Sequence, residues 1–206
     1  MKTPTLLYDF LRTYWPPVDD GFAAVWVEGT GIEETASRLR ADLDSATVCP
    51  LRGIGRGFDG DDRPDDYAGI VLVGESGSWT LAVQIQGMDV TTDRALAELS
   101  RDGGRAISIG WHANGGHTTT YAVDGTVVSS GDIRYVPPSL EHYAQDLRIP
   151  DFDDEDSDDF PIEEMITKVL VVIGRATGQE IDEDWLEEDH VRYIIPRDAW
   201  MDDTTF

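Results

Sequence analysis

The chain has 206 residues, with 41 acidic against 16 basic side chains and a formal net charge of −25. Such an excess repels other polyanions, so duplex DNA, RNA and anionic membrane surfaces are poor partners, because binding them relies on clusters of Lys and Arg. It suits a basic protein surface, or a protein that normally holds nucleic acid. At 40 % hydrophobic residues the chain can bury a core without staples. The single cysteine, Cys49, permits no internal disulfide, which agrees with a reducing cytoplasm. The N-terminal stretch lacks the apolar run and cleavage pattern of a signal peptide. The apolar run around Val169–Ile173 falls far short of the roughly 18–20 residues of a membrane span. A soluble cytoplasmic protein of one domain, 1–206, is expected.

Residues 4–14 read as a short helix stopped by Trp15-Pro16-Pro17, and 21–28 (GFAAVWVE) as a strand. Thr30 reads as an N-cap with Glu33 completing a capping box, opening a helix over about 31–41 with Ile32, Ala36 and Leu39 on one side. A brief strand is expected at 46–51, then a loop dense in Gly, Asp and Arg through residue 66. Strands AGIVLVGE and SWTLAVQIQ, joined at Ser76-Gly77-Ser78, read as a hairpin. Thr91-Thr92 caps a helix over about 92–101 with Leu96 and Leu99 inward, ending at Asp102-Gly103-Gly104. A meander follows: strands at 105–112 and 117–123, the turn Asp124-Gly125, and a return through TVVSS. A further short strand is expected at Arg134–Val136, then a short helix from Ser139 to about 147. Residues 151–159 (DFDDEDSDD) are an acidic low-complexity run, expected to form a flexible solvated loop at about 150–160. Ile162, Met165, Ile166, Val169, Leu170 and Ile173 then fall at helix spacing. The C-terminal helical segment covers 161–188, with a short helix at 182–188, and HVRYIIP reads as a last strand.

Hairpins dominate the middle of the chain. The expected class is therefore α+β, with a mainly antiparallel twisted sheet and helices packed mostly on one face. Trp26, Trp79 and Trp111 fall in predicted strands and are expected in the core. Trp15, Trp185 and Trp200 sit near breaks or the terminus, where an exposed Trp would serve as an interface anchor and a covered one would close the core's edge.

No catalytic or metal-binding kit accompanies the acids. The four histidines form neither an HxH nor an HExxH pair, and spacing gives no sign of three convergent metal ligands. His112 and His117 flank the turn around Asn114. They read either as a pair meeting across a hairpin or, more plainly, as two solvated histidines at a loop edge. The segment around Arg56 and Phe58 carries three glycines, but at the wrong spacing for a dinucleotide loop and among phosphate-repelling aspartates; it reads as a contact loop. The acids Asp153, Asp154, Glu155, Asp156, Asp158 and Asp159 leave three readings open: a solvated linker, a nucleic-acid mimic, or a weak cation site. The EF-hand version of the last fails because the sixth place, a required glycine, is Asp158. Cys49 lies in an apolar setting that suits a structural thiol. No cofactor is implied, and no grouping of nucleophile and base passes a spacing test.

Four stretches, FAAVWVEGTGIEETASRLRAD, SGSWTLAVQIQGM, DGGRAISIGWHANGGHTTTYAVDGTVV and VIGRATGQEIDEDWLE, together resemble a widespread actinobacterial family defined only as a domain of unknown function. The matching residues are Gly31 with Glu34, Arg38 and Leu39; Ser78-Trp79-Thr80; Gly103 to Ser108 with Trp111; and Ala176-Thr177-Gly178 with Ile181. The resemblance spans roughly 20–190 and implies no catalytic residues. Small acidic α+β proteins of such bacteria are also similar in style, not in motif, to the immunity proteins of toxin systems.

The sequence therefore points to a non-enzymatic, acidic protein-binding module with a basic partner. Its candidate contacts are Arg56, Phe58, His112, Asn114, His117 and the acids of 153–159. The alternative is a phage-defence or regulatory module that recognises a small ligand or protein through the loops at 53–66 and 112–117, with a pocket bordered by His112, Asn114 and Arg105. Partner identity and oligomeric state are not encoded in any motif.

Overall fold

The computed structural model describes residues 6–14, 18, 20–53, 67–147 and 162–201. Eight strands form one sheet: β1 (Gly21–Glu28), β2 (Asp42–Pro50), β3 (Tyr67–Ser76), β4 (Trp79–Gln86), β5 (Arg105–His112), β6 (Thr118–Val123), β7 (Thr126–Gly131) and β8 (Asp189–Pro196), in the order β2-β8-β3-β4-β1-β5-β6-β7. Every neighbouring pair is antiparallel. Five α-helices accompany it: α1 (Leu6–Tyr14), α2 (Ile32–Arg38), α3 (Asp93–Ser100), α4 (Ile162–Thr177) and α5 (Glu183–Glu187). The α+β class and the antiparallel sheet are as expected.

The helices do not favour one face. β1 is central and reads as an unbroken apolar run because both of its faces are covered. Phe22, Ala24 and Trp26 point into a core shared with α1, α4 and α5. Ala23, Val25 and Val27 point into a second core shared with α2 and α3. The two faces differ in grain. Tryptophans, leucines and isoleucines from β1, β3, β4 and β5 meet the long α4, whereas alanines and valines dominate the sheet side beneath α2 and α3. Small side chains let those two short helices lie close to the strands. Trp26, Trp79 and Trp111 are all buried in the first core.

Local chemistry explains most boundaries. Thr92 caps α3, accepting from the Ala95 amide at 3.2 Å, and Asp182 caps α5, accepting from the Trp185 amide at 2.9 Å. Asp102 and Gly103 take positive φ (64° and 82°) and turn the chain from α3 into β5. Two expectations fail. Thr30 is not the cap of α2: Gly31 occupies that position, and the Thr30 hydroxyl instead bonds the buried Thr35 hydroxyl at 2.8 Å. Residues Arg134–Val136 form a turn, not a strand, since Asp132 takes both the Arg134 amide (2.9 Å) and its guanidinium (3.1 Å). The strand expected at 46–51 starts at Asp42. As an edge strand with largely exposed residues it carries no periodic signal. The short helix expected from Ser139 is a 3-10 helix over Pro138–Tyr143.

The strand directions bring β1, β2, β3 and β6 to their last residues at one end of the sheet, where β4, β5, β7 and β8 begin. At that end the chain also passes through α5.

Candidate functional site

Arg38, Arg105 and the β3–β4 turn, all within the stretches singled out in the sequence, lie at this end, and each has a structural role. Arg38 is 9 % exposed, and its guanidinium reaches from α2 to α3. It donates to Glu34 (2.7 Å), to the carbonyls of Leu99 (3.2 Å) and Arg101 (3.0 Å), and to Asp102 (3.2 Å). It thereby satisfies carbonyls that the end of α3 leaves without helical partners and opposes the negative end of the helix dipole. Arg105 forms a two-pronged pair with Glu28, both contacts at 2.5 Å, and lies over the Trp79 ring at 5.0 Å. The hydrogen bond from Arg105 holds the Glu28 carboxyl below its ordinary value and raises the guanidinium in return. Gln179 packs against Gly77 in the β3–β4 turn, where a Cβ would meet its amide at 2.2 Å.

Beside this scaffold lies the densest run of acids among the described residues. From Glu180 to Asp189, seven of ten positions are acidic, none is basic, and all seven acids are exposed. The segment is held from beneath. Trp185 and Leu186 are buried in the first core, and the Trp185 ring stacks on His190 with centroids 4.1 Å apart. His190 is itself 4 % exposed, and its Nε2 lies 2.5 Å from the Trp185 carbonyl oxygen, which makes that nitrogen the donor. Gly74 on β3 leaves room for this imidazole: a Cβ there would fall 2.1 Å from Nδ1. The acids are thus presented on a fixed platform.

α1 and the turn after β2 complete the site. The Tyr14 hydroxyl donates to Glu183 and lies 3.4 Å from Glu187. Arg52 places its guanidinium over the Tyr14 ring at 4.6 Å. The hydrogen bond to Glu183 pushes the Tyr14 phenol up to about 12, with burial and the charges of Glu183 and Glu187 acting in the same direction and Arg52 against them. Tyr14 thus carries a guanidinium over its face and two carboxylates at its hydroxyl, drawn from three distant parts of the chain.

The residues predicted from sequence are distributed otherwise. His112 and Asn114 are exposed, and the Asn114 amide donates to His112 Nδ1 at 3.1 Å. His117 is half-buried, and its Nδ1 has no hydrogen-bond partner among the described residues. No group of three or more His, Cys, Asp or Glu side chains among the described residues is placed to hold a metal ion. A pocket bordered by His112, Asn114 and Arg105 does not form: Arg105 and His112 are the two ends of β5, about 23 Å apart at strand rise. A groove of about 340 Å³ is lined by Arg134, Tyr135, Val136, Glu141, Ala144 and Gln145, and none of the predicted contacts is among these. Arg56, Phe58 and the acids Asp153 to Asp159 lie outside the described residues. Cys49 is half-buried on edge strand β2, with burial raising its thiol.

No family model, no characterised protein and no solved structure matches this chain. No helix among the described residues is long and apolar enough to cross a membrane.

Sequence reasoning missed Tyr14, Arg52, Glu183 and Glu187. The acid density of EIDEDWLEED is a visible signal for two of them, but the run at 151–159 is more concentrated. Nothing local marks Tyr14 or Arg52, because their meeting depends on α1 and α5 packing over the same face.

Proposed function

We propose that this chain is a non-enzymatic acidic protein-binding module of the cytoplasm that engages a basic protein, in the manner of an immunity or inhibitor protein neutralising a toxin. The observation that carries the reading is the stretch from Glu180 to Asp189, with seven exposed acids and no base of its own, seated on a buried aromatic platform. Fixed like charges concentrate a field that draws a cationic partner to one place, speeds encounter and makes the complex sensitive to salt. Rigidity also reduces the ordering cost of binding. The family resemblance adds no activity to this reading.

The test is capture of partners by the tagged chain from its native cells at low and high salt, with mass spectrometry as the readout. It is repeated with Glu183→Gln, Glu187→Gln, Glu188→Gln and Asp189→Asn combined. Recovery of one basic protein at low salt, lost at high salt and lost with the neutralised variant, is the expected result. Recovery of no protein, or of a partner indifferent to the variant, sinks it.

A further inference from the structure

We infer that the ring of Tyr14, with the carboxylates of Glu183 and Glu187 at its hydroxyl, is a receptor for an arginine side chain of the partner, and that Arg52 covers the aromatic face in cis until the partner arrives. This rests on the reading of a basic protein partner and names the group it presents.

The geometry has the parts that guanidinium recognition needs. A planar cation gains from an aromatic face within about 6 Å, and its fork of N–H donors suits carboxylates. Tyr14 supplies the face. Glu183 and Glu187 are four residues apart on α5, so they share one side of the helix. The Tyr14 hydroxyl donates to Glu183, which ties the ring to the carboxylates and fixes their spacing. The parts are anchored independently: Leu11 of α1 is buried, the Tyr8 amide donates to Thr167 of α4 at 3.2 Å, and Leu186 of α5 is buried.

The occupant identifies the ligand. Arg52 is an exposed residue whose guanidinium rests on the Tyr14 ring. Arg38 and Arg105 are different: carboxylates and carbonyls hold them from several directions. A cation–π contact at an exposed site changes an equilibrium by only about two- to five-fold, so a second arginine can replace Arg52 at small cost. A lysine ammonium cannot stack in the same way or bridge two carboxylates with a planar fork. Arg52 therefore acts as a placeholder that sets a threshold and favours arginine over lysine.

The experiment measures binding of N-acetyl tetra-arginine amide and N-acetyl tetra-lysine amide to the full chain by calorimetry at low salt. Arg52→Ala is compared with Arg197→Ala, which removes the same charge at another exposed position. The expected result is tetra-arginine binding about two- to five-fold tighter in Arg52→Ala than in Arg197→Ala, with tetra-lysine equal in the two. Adding Tyr14→Leu to Arg52→Ala should erase the gain. Adding Glu183→Gln and Glu187→Gln, which keeps the ring, should erase it as well and guards against a Tyr14 variant that does not fold. No gain, an equal gain for tetra-lysine, or a gain that survives both additions overturns the receptor. A receptor that fails while the native cells still yield a salt-sensitive basic partner leaves the acidic-module reading standing. A receptor that holds while the capture is empty removes the protein partner and keeps the arginine site.

Discussion

The tightest approach in the fold gives the sharpest prediction. Gly74→Ala would place a methyl 2.1 Å from Nδ1 of His190 and under 3 Å from two further ring atoms. The ring cannot step aside cheaply. It is 4 % exposed, stacked on Trp185 at 4.1 Å, and bonded through Nε2 to the Trp185 carbonyl. Overpacking of this kind costs about 1–3 kcal/mol, and displacing the imidazole forfeits a buried hydrogen bond worth about 1 kcal/mol. Replacing a strand glycine returns about 0.5–1 kcal/mol of backbone entropy. The balance is about 2 kcal/mol of destabilisation, a fall in Tm of roughly 4–8 °C for a chain of this size. Denaturant unfolding followed by tryptophan fluorescence reads it directly. Gly131→Ala, where no atom lies within 4 Å, is the control and should shift stability by less than about 0.5 kcal/mol. The double variant Gly74→Ala/His190→Ala should be no less stable than His190→Ala alone, because the new methyl then occupies space the ring has left. A Gly74→Ala variant as stable as the wild type, or a cycle additive to within about 0.5 kcal/mol, would refute the packing argument.

Three further outcomes follow from the contacts. Arg38→Ala should cost about 2–3 kcal/mol, because it strips a buried charge from two helix-terminal carbonyls; Glu34→Gln, on a half-exposed partner, should leave the same unfolding midpoint nearly unchanged. Thr92→Ala should cost about 1 kcal/mol through loss of the α3 cap, whereas Gly31→Ser, at the extended cap position of α2 with open space around it, should gain a few tenths. Tyr14 supplies the pH dependence. Its phenol is raised from 10 to about 12 in the folded chain, so its contribution to stability is complete below pH 10 and declines between pH 10 and 12, as the unfolded chain releases a proton the folded chain keeps. The stability difference between wild type and Tyr14→Phe should shrink across that window, and a difference constant with pH would contradict the Tyr14–Glu183 bond.

Local order was readable because it depends on neighbours in the chain. The run GFAAVWVE, the period of Ile162 to Ile173, the Asp124-Gly125 turn and the Thr92 cap each carry their own steric or hydrogen-bonding reason, and β1, α4, the β6–β7 hairpin and α3 stand where those reasons put them. Thr30 failed by one residue because Thr35, brought near by the helix itself, offered its hydroxyl a partner that competes with the cap. The strand expected at 134–136 failed because Asp132 closes a turn that a β-pattern does not register.

By itself, then, the sequence determined the class of fold, the antiparallel hairpins, the aromatic core and the strongly negative overall charge. These follow from periodicity, turn chemistry and composition, which are local or additive. Only the tertiary structure decided that helices from distant parts of the chain cover both faces and that Tyr14, Arg52 and Glu183 come together. Those are contacts between segments separated by dozens to more than a hundred residues, selected by which faces bury best against each other and by how the strands order in the sheet. No local preference in the chain encodes such a choice.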